Sequence, residues 1–356
     1  MSLQLVAAAD VTADVTARSA PHDTVIDARS PAEFAEDHLP GAVNWPVLDD
    51  DERRIVGTLY KQVSPLQARK VGAAMVARNI AAHFERELAD KPREWRPLVY
   101  CWRGGQRSGS LAWFLSQIGF RTAQLAGGYK AFRGIVSTEL ATLPERFEFR
   151  VLAARTGSGK TRLLHALQAA GAQVLDLEAL ACHRGSVLGG LPGQPQPAQK
   201  RFDTQVWQAL RGFDPERPVF VESESARIGR LTVPEALLRR MREQGTIVQV
   251  AMDDAARVQL LLADYGFFAD APEDFCHRIG ALVDLRGRAT IERWQAQARA
   301  GQWAAVFGEL MAQHYDPLYE RSLKRSYGAL DDLPGVSLGD GGPQALQAAA
   351  QVLLGR

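Results

Sequence analysis

Short contiguous apolar runs alternate along this chain with longer stretches in which apolar residues recur every three or four positions. The first pattern reads as buried strands and the second as amphipathic helices. HDTVIDARS (22–30) reads as a strand running into a turn, RPLVYC (96–101) as a second strand and 121–125 as a third. Between the last two, RSGSLAWFLSQIG (107–119) puts apolar residues at 111, 114, 115 and 118 on one helical face. Residues 64–90 carry a further, Ala-rich helical pattern. Strands alternating with helices predict a parallel sheet. Around 138–148 the pattern breaks at Pro144 and a charge cluster, which predicts a domain boundary. A second α/β pattern follows: a strand at 147–153, a Gly-rich loop, a helix at 160–170, and strands at 173–177, 218–221 and 246–252. From about Asp254 strand signals fade and the rest reads as helical. The Pro-rich stretch GGLPGQPQPAQK (189–200) reads as a loop within the second domain, because that sheet continues after it. The expected layout is a parallel-sheet domain over 1–140 with an insertion at about 47–95, a second α/β domain over 145–253, and a mainly helical region over 254–356.

Composition narrows the class. With 46% hydrophobic and 23% charged residues the chain is an ordinary globular protein. No apolar run approaches the length that spans a bilayer. The N-terminal stretch lacks a basic start and carries Asp10 and Asp14, which argues against a signal peptide and for a cytoplasmic location. A net charge of +1 announces no overall basic field, although a neutral protein can still carry a basic face. Arg-rich segments at 237–242, 286–293 and 321–325 are candidates for such a face, and each reads equally as a solvated helix surface. Cys101, Cys182 and Cys276 are too few and too widely spaced for a disulfide framework or a CxxC zinc site.

One cysteine has reactive neighbours. In VYCWRGGQRS (99–108) Cys101 ends a strand, a loop with two glycines follows, and Arg107 opens a helix. Glycines let backbone N–H groups curl toward the sulfur. The helix N-terminus, Arg103 and Arg107 add positive potential. Such a cradle stabilises a thiolate, a persulfide or another anionic sulfur or selenium species. A buried structural cysteine is the bland alternative.

AARTGSGKT (153–161) lies between a strand and a helix, the context of a phosphate-binding P-loop. Gly157 and Gly159 admit the phosphates, Ser158 lies between them, Lys160 supplies a point charge, and Thr161 is placed to bind Mg2+. Ala154 stands where the pattern has its first glycine. The apolar strand in PVFVESESARIG (218–229) ends in Glu222 and Glu224, in the manner of a Walker B acid that holds the metal or its water. They read equally as solvated loop residues, and Asp176 is a weaker candidate.

The motifs DARSPAEF and HLPGAVNWP, the CWRGGQRS loop and LAGGYKAFR resemble, in order, those of rhodanese domains over nearly all of residues 20–135. With the P-loop and the segments LEALACHRGSVLG (177–189), QPAQKRFD (196–203), VESESARIG (221–229) and HYDPLY (314–319), the chain resembles the bacterial tRNA 2-selenouridine synthase family over most of its length. It departs at Val187 and Leu188, where a small residue and an aromatic are expected, and at Ala198, where Ser is expected. The resemblance implies a rhodanese-like domain followed by a P-loop NTPase-like α/β domain. It also implies a transferase that replaces sulfur by selenium in the wobble 2-thiouridine of tRNA. Selenophosphate is then the selenium donor, and the path runs through an S-geranyl intermediate made from geranyl diphosphate. Cys101 would carry or position selenium, the P-loop would hold a diphosphate, and His183 and Arg184 are candidates for tRNA or diphosphate contact. A sulfurtransferase coupled to an NTPase and a non-catalytic sulfur carrier or redox switch are the rival readings.

Overall fold

The protein, described here as a computed structural model, is defined over residues 4–14, 21–327 and 335–355. The chain divides into two compact units, Met1–Leu140 with Ala198–Gly212, and Ala141–Pro197 with Phe213–Arg356.

The first unit is built on five parallel strands, β1 (Gln4–Val6), β2 (Thr24–Asp27), β3 (Val43–Asn44), β4 (Pro97–Tyr100) and β5 (Ala123–Leu125), in the order β1-β5-β4-β2-β3. Every residue of β4 is buried, as expected of a strand covered on both faces. The register pairs Asp27 with Tyr100. The residues just beyond, Ala28 and Cys101, therefore emerge side by side at the carboxyl edge, where open parallel sheets place their sites. The expected helices appear at Gln106–Ile118 and Pro65–Glu87, the latter preceded by Asp50–Gln62, so the insertion is a helical hairpin.

The helix Gln199–Arg211 also belongs to this first unit. Its apolar face of Phe202, Val206, Trp207 and Leu210 is fully buried, worth about 1.5–3 kcal/mol per large side chain before entropy is counted. Trp207 meets Phe132 edge-on at 5.6 Å. Its indole N–H donates to Glu139 at 2.7 Å. Thr204 donates to Asp37 at 2.9 Å. The Pro-rich stretch before the helix was expected to be a loop inside the second domain. Instead it leads the chain from one unit into the other, because the partners of this apolar face are in the first.

The second unit also carries a five-stranded parallel sheet, from β6 (Phe149–Ala153), β7 (Gln173–Leu175), β8 (Val219–Glu222), β11 (Thr246–Ala251) and β12 (Gly335–Ser337), in the order β12-β11-β6-β8-β7. The strands β9 (Arg227–Ile228) and β10 (Leu231–Thr232) form a small antiparallel pair. Helices from 254 onward pack around Phe268, Phe275, Trp294 and Phe307. The region is not wholly helical: β12 joins the sheet edge beside β11, and the helix Pro343–Leu354 buries Ala349, Ala350 and Leu353 against Leu152 and Leu163. Among the described residues no helix is long and apolar enough to cross a membrane.

Candidate functional site

Each unit presents one chemical centre. In the first, Cys101 follows β4 and is 3% exposed. Ser108, on the first turn of the helix that follows, places its hydroxyl 3.1 Å from the sulfur. Gln124 donates to that hydroxyl at 2.8 Å and also to the Gly104 carbonyl at 2.8 Å, so the hydroxyl hydrogen is shared between the sulfur and the Gly105 carbonyl 3.3 Å away. The backbone N–H groups of Tyr129 and Lys130 bind the carbonyls of Cys101 and Trp102 at 2.8 and 2.9 Å. This approach needs glycine: a Cβ on Gly128 (φ +57°) would lie 2.2 Å from the Cys101 carbonyl oxygen. The closing motif thus holds the cysteine loop by main-chain contacts.

The two loop arginines take different places. Arg103 is exposed. Arg107 forms a two-point pair with Glu33 at 2.5 and 3.2 Å, so its guanidinium is committed to that carboxylate rather than to the sulfur. Burial opposes ionisation of Glu33, but Arg107 prevails and holds the carboxyl below the usual carboxylate range. Beneath the loop, fully buried Arg29 binds Asp27 at 3.0 and 2.6 Å, donates to the Asp37 carbonyl at 2.6 Å, and lies 3.9 Å from the Tyr129 ring centre. These groups brace the site and do not reach the sulfur.

In the second unit the P-loop joins central β6 to the helix Lys160–Ala169. Gly157 and Gly159 have φ of +76° and +75°. Ser158 is buried between them. Ala154 has no left-handed φ, so alanine is tolerated there. Lys160 Nζ donates to the Ala154 carbonyl at 3.0 Å and lies 5.6 Å from the Tyr319 ring centre. Fully buried Arg257 donates to the Thr156 carbonyl at 3.0 and 2.7 Å and to Asp316 at 2.9 and 2.6 Å. In a trans peptide the N–H opposes the C=O, so the Gly157 N–H is turned away from Arg257.

Beside the loop stand acids that β7 and β8 deliver. Thr161 Oγ1 is 3.4 Å from Glu178 and 3.5 Å from Glu222. Glu222 is fully buried rather than solvated, and its Oε2 has no partner. Burial, then the charges of Glu178, Asp176 and Glu224, push Glu222 well above its ordinary range. Glu224, partly exposed by surface area, is pushed up to about 8 by burial and by Glu178. Burial also raises Glu178, with Lys160 opposing. A hydroxyl, an orphaned carboxylate oxygen and crowded negative charge suit a hard cation such as Mg2+. Among the described residues no three His, Cys, Asp or Glu converge as a metal site, so phosphate or water oxygens would have to complete the shell.

His183 and Arg184 lie close to these acids but are structurally engaged. His183 Nδ1 accepts from Gly185 N–H at 3.1 Å, and burial with nearby Arg278 lowers its pKa. Arg184 donates to the Asp264 carbonyl and packs 5.1 Å from the Tyr265 ring centre. Ser108, Gln124, Glu178 and Arg257 were not among the expected site residues. Only Ser108 and Glu178, within the quoted motifs, left a signal that could have found them. A cavity of about 10 Å³, room for about one water, touches Thr156 of the P-loop and is lined also by Ser186, Leu188, Leu261, Tyr265, Phe307, Leu310 and Tyr315.

Comparison with known proteins matches a family model described as the tRNA 2-selenouridine synthase AAA domain to residues 147–286 and a rhodanese-like domain model to residues 11–134. A curated tRNA 2-selenouridine synthase from Marinobacter nauticus is 31% identical over 90% of this chain and 92% of its own length. One from Shewanella denitrificans is 36% identical over 85% and 88%, and one from Nitrosomonas europaea 36% identical over 71% and 66%. With both of its centres inside the matched spans, the chain belongs to the tRNA 2-selenouridine synthase family.

Proposed function

We propose that this chain is a cytoplasmic tRNA 2-selenouridine synthase that replaces sulfur by selenium at carbon 2 of the wobble 2-thiouridine, in two steps divided between its units. In the first step the thiocarbonyl sulfur attacks the first carbon of geranyl diphosphate. A C–S bond forms, the C–O bond breaks, and diphosphate leaves with the electron pair. In the second, a selenium nucleophile derived from selenophosphate attacks carbon 2 and geranylthiol departs. Alkylation matters because a thiocarbonyl sulfur is a poor leaving group and a thioether sulfur a better one.

The observation that carries this reading is the pairing in one chain of this family of a P-loop, with Thr161 beside Glu178 and Glu222, and a cysteine held against the Ser108 hydroxyl. Such a loop binds the diphosphate of an isoprenoid diphosphate through the same groups that would hold the phosphates of a nucleotide. Lys160 and the loop N–H groups stabilise charge on the departing diphosphate, and Mg2+, held by Thr161 and a carboxylate such as Glu222, would neutralise more of it. Cys101, with Ser108 as donor, lies in the loop that positions the selenium nucleophile, with no S–Se bond required.

The test is nucleoside mass spectrometry on 2-thiouridine tRNA incubated with the protein, geranyl diphosphate and selenophosphate. Lys160→Ala should abolish the geranylated product yet convert pre-geranylated tRNA to the selenium product. Cys101→Ala should do the reverse. If Lys160→Ala blocks both steps equally, the division of labour is wrong.

A further inference from the structure

The hairpin inserted in the first unit carries a run of cations between acids at 50–52 and acids at 85 and 87. From Arg53 to Phe84 it contains Arg53, Arg54, Lys61, Arg69, Lys70 and Arg78 and no acidic residue, in a protein whose net charge is +1. Its second helix, Pro65–Glu87, is roughly 34 Å long at 1.5 Å per residue. Only the C-terminal half is tied to the core, through Val76, Ile80 and Phe84. In the N-terminal half the buried residues are Ala68 and Gly72. A Cβ on Gly72 would meet Val56 of the first hairpin helix at 3.3 Å, so that half packs on its partner helix. The tip exposes Tyr60 (58%), Val63 (66%) and Leu66 (57%).

Most of the arginines elsewhere that the sequence offered for RNA are engaged within the fold, while Arg288 is exposed and the buried Nε of Arg242 has no partner among the described residues. Arg239 and Arg240 pair with Glu145, Arg293 with Glu309, and Arg286 donates to His314. In the 321–325 segment the side chains beyond Arg321 lie outside the described residues. On the hairpin, by contrast, Arg54 and Arg78 are 70% and 71% exposed with single weak pairs, and among the described residues Lys61 and Lys70 show no ion pair.

We infer that this hairpin is the arm by which the protein grips the backbone of its RNA substrate, with Lys61, Arg69 and Lys70 on phosphates and Tyr60 against a base or sugar. The inference rests on the tRNA reading above and names the surface. An acid-free run of cations complements a polyphosphate, because each neutralised phosphate releases a counterion. An exposed tyrosine among them offers the stacking face that RNA-binding surfaces use.

The experiment measures binding of 2-thiouridine tRNA to the full chain by fluorescence anisotropy across a salt series, for the wild type and for K61Q/R69Q/K70Q. The variant leaves both chemical centres untouched. Its thermal melting and its Cys101 alkylation rate report folding. The expected result is binding weaker by on the order of tenfold to hundredfold near physiological salt, and a salt slope shallower by about two, since each phosphate contact contributes roughly 0.7–0.9. An unchanged affinity and slope in a folded variant would overturn the assignment while leaving tRNA as the substrate. A wild type that binds no tRNA at any salt would overturn the functional reading itself. Loss of self-association without loss of tRNA binding would make the tip a contact between copies, which also overturns it.

Discussion

Replacing Gly128 with alanine isolates the main-chain contact that holds the cysteine loop. The new Cβ would lie 2.2 Å from the Cys101 carbonyl oxygen and 2.5 Å from Gly104 N, both backbone atoms, at a φ of +57°. The left-handed conformation costs alanine about 1–2 kcal/mol, and forcing atoms into a filled space adds about 1–3 kcal/mol. The expected loss of about 2–5 kcal/mol lowers the melting transition of this unit by roughly 5–20 °C, at about 2–4 °C per kcal/mol for its size. Gly134, in the same helix, is the control: it is exposed, a Cβ there meets nothing within 4 Å, and its φ is not left-handed. Gly134→Ala should stabilise by about 0.5–1 kcal/mol because alanine loses less backbone freedom. Calorimetry gives the stabilities, and iodoacetamide alkylation followed by peptide mass spectrometry reports the Cys101 environment. A Gly128→Ala protein that melts with the wild type and alkylates Cys101 at the same rate refutes the argument.

Four further outcomes are expected. Ser108→Ala removes the donor 3.1 Å from the Cys101 sulfur; at about 1.5–3 kcal/mol for a bond to a charged group, thiolate alkylation should slow by roughly tenfold or more, and an unchanged rate would mean the hydroxyl does not serve the sulfur. Glu224, pushed up to about 8, makes folding take up a proton, so its contribution is fully present below the ordinary carboxylate pKa and is lost as pH rises toward 8; Glu224→Gln should raise the melting temperature more at pH 9 than at pH 5, and equal shifts at both would contradict the sign. Arg257→Ala strands the Thr156 carbonyl, leaves Asp316 only its 3.4 Å contact to Arg155 and should cost about 3–5 kcal/mol as a broken buried pair, whereas Arg155→Ala, half-exposed and sharing the same carboxylates, should cost under about 1 kcal/mol by urea unfolding. Ala198 is the N-cap of the helix Gln199–Arg211 and offers no side-chain acceptor; Ala198→Ser should stabilise by about 0.5–2 kcal/mol, and no gain would show that the first-turn N–H groups already have partners.

What was legible in the chain is what depends on neighbours in sequence. The strand-loop-helix around Cys101 and the one around Lys160 each lie within about twenty residues, and glycine spacing with apolar period specifies them locally. The expected helices and both sheets appear close to where the pattern put them, with ends moved by up to three residues. But the helix Gln106–Ile118 buries Ser108, Leu111, Ala112 and Leu115 rather than the expected face, leaving Phe114 and Ile118 exposed because the sheet contacts only a narrow stripe of it. The short edge strands β1 and β12 left no signal, because three residues are too few to show a period and are held by pairing with β5 and β11.

The sequence by itself determined the class of chemistry: a cysteine at a strand end in a glycine-rich, basic loop, and a lysine in a phosphate loop, in two α/β units. Only the tertiary structure decided which groups serve them. Arg107 turned to Glu33, 74 positions away, because a buried carboxylate must be paired. Glu178 and Glu222 came together at Thr161 because β7 and β8 are neighbours in the sheet. The helix Gln199–Arg211 went to the first unit because its tryptophan and phenylalanine found their apolar partners there. Local pattern encodes what a segment can be; burial and charge pairing, which join distant segments, decide where it goes and what it touches.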